Sequence, residues 1–286
     1  MTTFEGTPGN DRGNFGYSHM FGRDGNDELQ MNVAGYGEVH GEAGDDIVYM
    51  HPYTSGTYGS VYGGDGNDMG IGGFLEDEVY GDGGNDRVDG HEGDDRVYGG
   101  GGRDAVHGGK GDDILYGGRG SDAGTIVVPT SSNLTGPPNY SESPAGIFGG
   151  EGRDRLYGGN GRDALDGGAD DDILVGGKGG DWLTGGEGND TFRFKSKDSK
   201  GGKAGRDTIL DFSEGDVIDL SPIDAVKGKP GNQAFDYIGR KAFSGEAGEL
   251  RYKKGKLSAD TDGDARADFV VKLEGAPHLQ GADFLL

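Results

Sequence analysis

One apolar position in this chain returns every nine residues. Val79, Val88, Val97, Val106 and Leu115 hold it in successive repeats, each short apolar stretch being bounded by runs rich in Gly and Asp. A period of nine is neither the 3.6 of an amphipathic helix nor the sustained alternation of a long strand. It predicts three-residue strands, x-U-x, in which the apolar U points inward and its neighbours point outward. The six intervening residues, rich in glycine, make the turn, because glycine reaches backbone angles closed to other residues. Two such units complete one coil, so each repeat stacks on the second one after it. The expected fold is an all-β solenoid of parallel strands.

The repeat is explicit from Gly63, where GGDGNDMGI, GGFLEDEVY, GDGGNDRVD, GHEGDDRVY, GGGGRDAVH, GGKGDDILY and GGRGSDAGT follow without a break. After an interruption come GGEGRDRLY, GGNGRDALD, GGADDDILV, GGKGGDWLT and GGEGNDTFR, ending at Arg193. Upstream the pattern loosens. GRDGNDELQ starts at Gly22 and GEAGDDIVY at Gly41, while NVAGYGEVH and TSGTYGSVY carry Gly37 and Gly59 where Asp belongs. The shared form, G-G-x-G-x-D-x-U-x, resembles the RTX family, whose repeats form a calcium-binding parallel β-roll. The resemblance implies a parallel β-roll over residues 1–194 and, beyond it, a small β-rich C-terminal domain over 195–286.

Stacking turns every second aspartate into a column. Asp68, Asp86, Asp104 and Asp122 make one, and Asp77, Asp95 and Asp113 the opposite one. Asp27, Asp46, Asp154, Asp163, Asp172, Asp181 and Asp190 hold the equivalent position in the other repeats. Carboxylates about 4.8 Å apart repel one another, and so thin a core cannot compensate. A hard divalent cation between turns removes the conflict. Calcium takes six to eight oxygens, backbone carbonyls included, in flexible geometry, which suits glycine turns better than magnesium's octahedron. These aspartates and the backbone carbonyls of the turns are therefore the expected Ca2+ ligands, for roughly ten ions in all. Since no site preforms in an unfolded chain, the roll is expected to fold only when calcium binds.

Composition narrows the partners. The 286 residues carry 51 Asp+Glu against 27 Lys+Arg, a net charge of −24, with 64 Gly and 31% hydrophobic residues. Such a chain repels nucleic acid and anionic membranes and attracts cations. It has no cysteine, so disulfides and thiolate metal sites are excluded. The start, MTTFEGTPGNDRGN, has no basic, apolar leader, and no apolar run reaches the ~20 residues of a membrane span. An insertion at 126–146, rich in Pro, Ser and Asn, breaks the period and is expected to protrude as a loop; MHPYTSG at 50–56 is a smaller one.

From Lys195 the glycine density falls. The segments GRDTILDFSEGDVIDLSPIDA, SGEAGELRY and DTDGDARADFVVKL and the ending ADFLL resemble the C-terminal region of the serralysin metalloproteases. That region carries the uncleaved signal read by a type I secretion apparatus, here matched by Asp283, Phe284, Leu285 and Leu286. The resemblance implies a secreted, extracellular protein without an N-terminal signal. Asp260, Asp262, Asp264 and Asp268 alternate like an EF-hand loop, but Val271 and Ala265 stand where that loop needs Glu and Gly. Both a calcium loop and a charged turn remain open there.

The protease zinc motif H-E-x-x-H is missing, since the sole His-Glu pair, His91-Glu92, runs into GDD within a repeat, and no G-x-S-x-G elbow occurs. The chain is thus expected to be no enzyme but an extracellular binding or structural module. Alternatives are an accessory C-terminal portion of a larger exoenzyme and a membrane-active RTX protein, though no helix signal supports insertion. One outward row reads Tyr62, Tyr80, Tyr98, Tyr116 and, past the insertion, Phe148, an expected face for extracellular polysaccharide or a cell surface.

Overall fold

A computed structural model describes residues 3–32, 34–50, 57–130, 139–196, 198–199, 205–275 and 277–286. The small insertion therefore lies, but for Met50, outside the described residues. Among those residues the chain is strands and turns, with a 3-10 turn at Gly281–Asp283 and no α-helix. Two sheets face each other. The twelve-stranded one runs from Thr3–Glu5 through His19–Asp24, Gly35–Ala43, Thr57–Asp65, Glu78–Gly83, Arg96–Gly102, Ile114–Gly120, Arg155–Gly161, Ile173–Gly179, Thr191–Arg193 and Val217–Asp219 to Phe284–Leu285. Its neighbours are parallel and in register, so Val79 pairs with Val97 and Val97 with Leu115. The fifteen-stranded sheet takes the alternate strands, such as Arg87–Glu92 and Ala105–Lys110, which pair Val88 with Val106. This is the parallel β-solenoid that a nine-residue period with two repeats per coil requires.

The core is one side chain deep. Each strand sends its central apolar residue inward, Val79, Val97, Leu115 and Leu156 from one sheet and Val88, Val106, Ile147 and Leu165 from the other, all buried. Burying one such side chain contributes about 1.5–3 kcal/mol. The three-residue strand has no second apolar position to add to it.

The sheets do not stop at residue 194. Thr208–Ile209 pairs with Trp182–Glu187, Val217–Asp219 with Thr191–Arg193, and Phe284–Leu285 with Val217–Asp219. An antiparallel meander of Glu249–Tyr252, Lys256–Asp260 and Phe269–Leu273 extends the fifteen-stranded sheet. A single apolar cluster runs from Met20 to Phe284 and thickens at this end, where Phe192, Phe194, Leu220, Phe235 and Phe269 meet. The C-terminal segment closes the roll with a core several side chains deep.

The large insertion corrects two expectations. Gly124–Thr130 leaves the roll and pairs antiparallel with the first part of Asn139–Glu151, from Gly124↔Ala145 to Thr130↔Asn139. Its Cα atoms come within 8 Å of strand Met69–Ile71, and Ala145 buries outward-facing Ala105. The hairpin lies back along the sheet instead of protruding. The returning Gly146-Ile147-Phe148 then fills the strand slot of the interrupted repeat, Val106 pairing with Ile147 and His107 with Phe148. Phe148 therefore belongs to the opposite row from the tyrosines. Tyr116 is followed instead by Tyr157. Counting Ala123-Gly124-Thr125 as a strand adds half a coil that the chain does not make.

Glycine is obligatory where turns stack. Gly120 has φ +149°, and a Cβ there would overlap Gly102 O of the preceding coil. Gly120→Ala should cost at least about 1–3 kcal/mol from the backbone alone, whereas Gly9→Ala, with nothing within 4 Å of its Cβ, should stay within about 0.5 kcal/mol. Thermal denaturation of the calcium-loaded variants measures the difference.

Candidate metal centre

Each turn delivers its aspartate to the same place, just before the strand, and the carboxylates form two continuous columns. The amide of one aspartate donates to Oδ1 of the aspartate one coil on. Asp68 N donates to Asp86 at 2.8 Å, Asp86 N to Asp104 at 3.0 Å, and Asp104 N to Asp122 at 2.8 Å. The chain of bonds crosses the insertion, from Asp122 N to Asp163 at 2.9 Å and from Asp113 N to Asp154 at 2.7 Å. The first column runs from Asp11 through Asp27, Asp46 and Asp68 to Asp163, Asp181 and Asp207. The second runs from Asp77 through Asp95, Asp113, Asp154, Asp172 and Asp190 to Asp216. Asp11, Asp207 and Asp216 lie outside the strict repeats, which is why the motif does not reveal them. Above Asp77 the second column has Gly59, whose amide donates to Asp77 Oδ1, so the N-terminal coils carry one column only.

The second carboxylate oxygen has no such partner. Oδ2 of Asp27, Asp46, Asp68, Asp86, Asp104, Asp163, Asp181 and Asp207 in the first column is buried and accepts no hydrogen bond, and so is Oδ2 of Asp95, Asp113, Asp154, Asp172 and Asp190 in the second. An orphaned buried carboxylate oxygen is among the costliest groups a fold can hold. All of these but Asp207 Oδ2 point into space that only a glycine leaves open. A Cβ on Gly63 would lie 2.7 Å from both Asp68 Oδ2 and Gly81 O, and one on Gly99 would lie 2.6 Å from Asp104 Oδ2 and 2.7 Å from Gly117 O. Carboxylate and carbonyl oxygens thus converge, one pair per turn, with no protein donor between them. That all-oxygen donor set fits calcium.

Electrostatics make the same demand. Burial first, and neighbouring carboxylates after it, push Asp86 up to about 9, Asp46, Asp95, Asp172 and Asp207 to about 8, and Asp68, Asp113 and Asp181 to about 7, against an opposing pull from the amide bonds. For Asp68, moving from 3.8 to about 7 removes about 4 kcal/mol of stability at pH 8. Three or four such residues would cancel the ~5–15 kcal/mol that holds a typical domain together. At neutral pH the columns therefore favour either protonation or a cation beside them.

Three column ends are closed without metal. Asp77 Oδ2 accepts from Gly73 N at 2.5 Å, Asp216 Oδ2 from Ser213 N at 2.7 Å, and Asp11 Oδ2 from Thr7 N at 2.6 Å. Both Asp77 oxygens are therefore occupied by backbone, which sets it apart from the other predicted ligands. Position five of the turn adds a further ladder that the motif, with x there, leaves blank. Asn85 donates from N and Nδ2 to Asn67 Oδ1, both at 3.0 Å, and Arg103 N donates to Asn85 Oδ1 at 3.0 Å.

The EF-hand-like segment is a different arrangement. Asp260, Asp262 and Asp268 converge, their oxygens within 4.8 Å of one another. Asp260 accepts the amides of Gly263 and Ala265, both at 2.8 Å, and Lys227 Nζ stands 3.1 Å from Asp268 and 3.8 Å from Asp262. The loop has its own cation. Of the C-terminal tetrapeptide, Asp283 caps the 3-10 turn by accepting from Gln280 N at 2.6 Å, and Phe284 is buried 4.9 Å from the Tyr237 ring. Leu285 is half exposed, and Leu286 packs against the core.

The aromatic row is longer than the tyrosines alone. Phe21, His40, Tyr62, Tyr80, Tyr98, Tyr116 and Tyr157 stack with centroids 4.4–5.0 Å apart and planes within 16°. Interior rings cover one another's faces, so the row offers edges and hydroxyls outward. Phe148 stacks on His107 at 4.8 Å on the other sheet.

Two outcomes follow for the columns. Protonation stabilises the calcium-free fold: its contribution is complete below about pH 4 and is lost as pH rises through about 6 to 9. Circular dichroism in EDTA should therefore show more β structure at pH 5 than at pH 8, and calcium affinity should fall with pH. Asp95→Asn should reduce the number of calcium ions bound, read by titration calorimetry, whereas Asp77→Asn should leave that number unchanged.

Residues 20–286 match the family described as peptidase M10 serralysin C terminal. Among solved structures, the AlgE6R3 and AlgE6R2 subunits of the Azotobacter vinelandii mannuronan C5-epimerase are 29% and 27% identical over 62% and 63% of this chain. The alignments cover 80% and 91% of those chains, with TM-scores of 0.26 and 0.28. The extracellular lipase LipA from Serratia marcescens is 20% identical over 80% of this chain and 40% of its own, with a TM-score of 0.20. No curated protein matches. With the family match spanning nearly its whole length, the chain belongs to the peptidase M10 serralysin C-terminal family and carries its calcium-binding RTX repeat.

Proposed function

We propose that this protein is a secreted, non-catalytic module that stays unfolded at low calcium and folds on binding calcium after type I export. The observation that carries this reading is the run of buried, unpartnered Oδ2 atoms along both columns. Those residues would hold the ions, with carbonyls of the turn glycines completing each shell. The bound calcium would supply the positive charge that the columns lack, at roughly two charges per ion against a net charge of −24. Extracellular calcium modules work at about 10⁻⁴ to 10⁻³ M, above resting cytosolic calcium, so the ion reports that the chain has left the cell. Asp283, Phe284, Leu285 and Leu286 serve as the signal for the export apparatus in this reading. No helix among the described residues is long and apolar enough to cross a membrane.

Once folded, the roll acts as an extracellular structural or binding element. The family's description as a C-terminal region favours one second reading, an accessory portion of a larger exoenzyme. The calcium switch is common to both.

Calcium titration of EDTA-stripped protein at neutral pH tests the proposal, followed by far-UV circular dichroism and the fluorescence of Trp182. This sole Trp is partly exposed and lies under the Arg162 guanidinium at 4.9 Å. The expected result is one cooperative coil-to-β transition near millimolar calcium that magnesium does not reproduce. Full β structure in EDTA at pH 8 would overturn it.

A further inference from the structure

The outer face of the twelve-stranded sheet has a second row beside the aromatic one. Two residues before each ring position, also pointing outward, stand His19, Glu38, Ser60, Glu78, Arg96, Ile114 and Arg155. The order of charge is antisymmetric about the gap between strands Glu78–Gly83 and Arg96–Gly102. Acid lies on one side of it and guanidinium on the other, at matching distances. Arg96 and Arg155 are exposed, and neither forms an ion pair among the described residues. Within the chain Arg96 has Glu78 beside it in register on the next strand, Arg155 lies near Asp112, and Glu38 stands 3.7 and 3.8 Å from His19 and His40, so a partner's carboxylates would add to these contacts rather than supply the first.

We propose that this face pairs with the same face of a second copy of the chain. A two-fold axis parallel to the strands, passing through that gap, lays Glu78 against Arg96 and Glu38 against Arg155 of the partner subunit. Each pair occurs twice, as an isologous interface requires. The same operation sets Ser60 opposite an isoleucine and lays one aromatic row along the other. Periods match automatically, because both copies stack strands at the same ~4.8 Å. The sheet is flat enough for this: adjacent rings from Tyr62 to Tyr116 are inclined by only 2–5°. Since the rings' faces are already covered, contact is through edges and hydroxyls, and the charged row selects the orientation. The parallel arrangement is rejected, because it sets Glu78 on Glu78 and Arg96 on Arg96.

The surface is small. Eight strands about 4.8 Å apart and three residues wide give roughly 400 Å² per copy, against ~800 Å² for a standard stable interface. The pairing is therefore weak, weaker than about micromolar. The dimer fraction rises with protein concentration, and added salt lowers the affinity.

The proposal rests on the calcium-loaded fold, so every sample is first shown by circular dichroism to have the wild-type β content. Sedimentation velocity over a concentration series of the full calcium-loaded chain should show a reversible monomer–dimer equilibrium. Arg96→Glu with Arg155→Glu makes the row wholly acidic, and Glu38→Arg with Glu78→Arg makes it wholly basic. Each double variant alone should dissociate about tenfold or more readily than wild type, while an equimolar mixture of the two should associate. A folded wild-type protein that stays monomeric throughout would overturn the proposal. So would a dimer indifferent to both double variants, or two variants that fail to associate when mixed. Retention of a monomer by an added neutral polysaccharide, lost on Tyr98→Ser, would give the face to a glycan instead.

Discussion

Carboxylates buried one strand spacing apart are the constraint on which this structure depends. The apolar core of the repeats is a single file of Val, Leu and Ile, too thin to outweigh thirteen buried oxygens that accept no hydrogen bond. The protein does not hide these groups by pairing them with Lys or Arg, as interiors usually must. It aligns them. Each column then presents a regular row of oxygens to a species that the chain itself does not provide. Glycine follows from the same requirement, because a side chain at Gly63 or Gly99 would fill the space where carboxylate and carbonyl oxygens converge.

This division of labour explains the ends of the roll. Inside the columns the aspartates are left incomplete, but at three ends the outermost carboxylate takes both its partners from backbone or side chain, as Asp77, Asp216 and Asp11 do. The ladder of Asn67, Asn85 and Arg103 ties adjacent turns by bonds that need no ion. The thick aromatic core around Phe192, Phe194 and Phe269 does so at the C-terminal end. Metal-independent order is thus concentrated at the borders and along the turn edges. Under the proposed calcium switch, the interior of the roll is where ionic charge would decide between coil and coil-stacked sheet.

Most of the fold was legible because a strict period leaves little freedom. Once x-U-x and G-G-x-G-x-D are recognised, stacking by two repeats determines which valine meets which. What escaped was whatever departs from strict repetition. Asp207 and Asp216 join the columns from segments, GRDTILDF and SEGDVIDL, whose x-D-x-U signature survives with a single glycine before it, Gly205 and Gly215, in place of the full G-G-x-G run. The place of Phe148 depends on where the hairpin leaves and re-enters, and the residues before it, Ala145-Gly146, look no more like a strand start than Ala123-Gly124 does. The aromatic stack extends to Phe21, His40 and Tyr157 through strands whose turns are irregular or displaced by the insertion. Recurrence of Asn and Asp at the fifth position of the turn was visible, but only the third dimension gives it a bonding partner.

The two faces of the roll have been used differently. The insertion returns along the fifteen-stranded sheet and buries Ala105 there, so that face is partly closed by the chain itself. On the opposite face nothing among the described residues covers the aromatic row. It is also where the charges are sorted, acid toward the N-terminal coils and Arg96 and Arg155 beyond them. A protein of net charge −24 would repel its own copies if its charge were uniform. Neutralisation of the columns by calcium lowers that general repulsion, and the local sorting then decides orientation. Folding and self-recognition would thus respond to one ion, the first through the buried carboxylates and the second through the charge they no longer present.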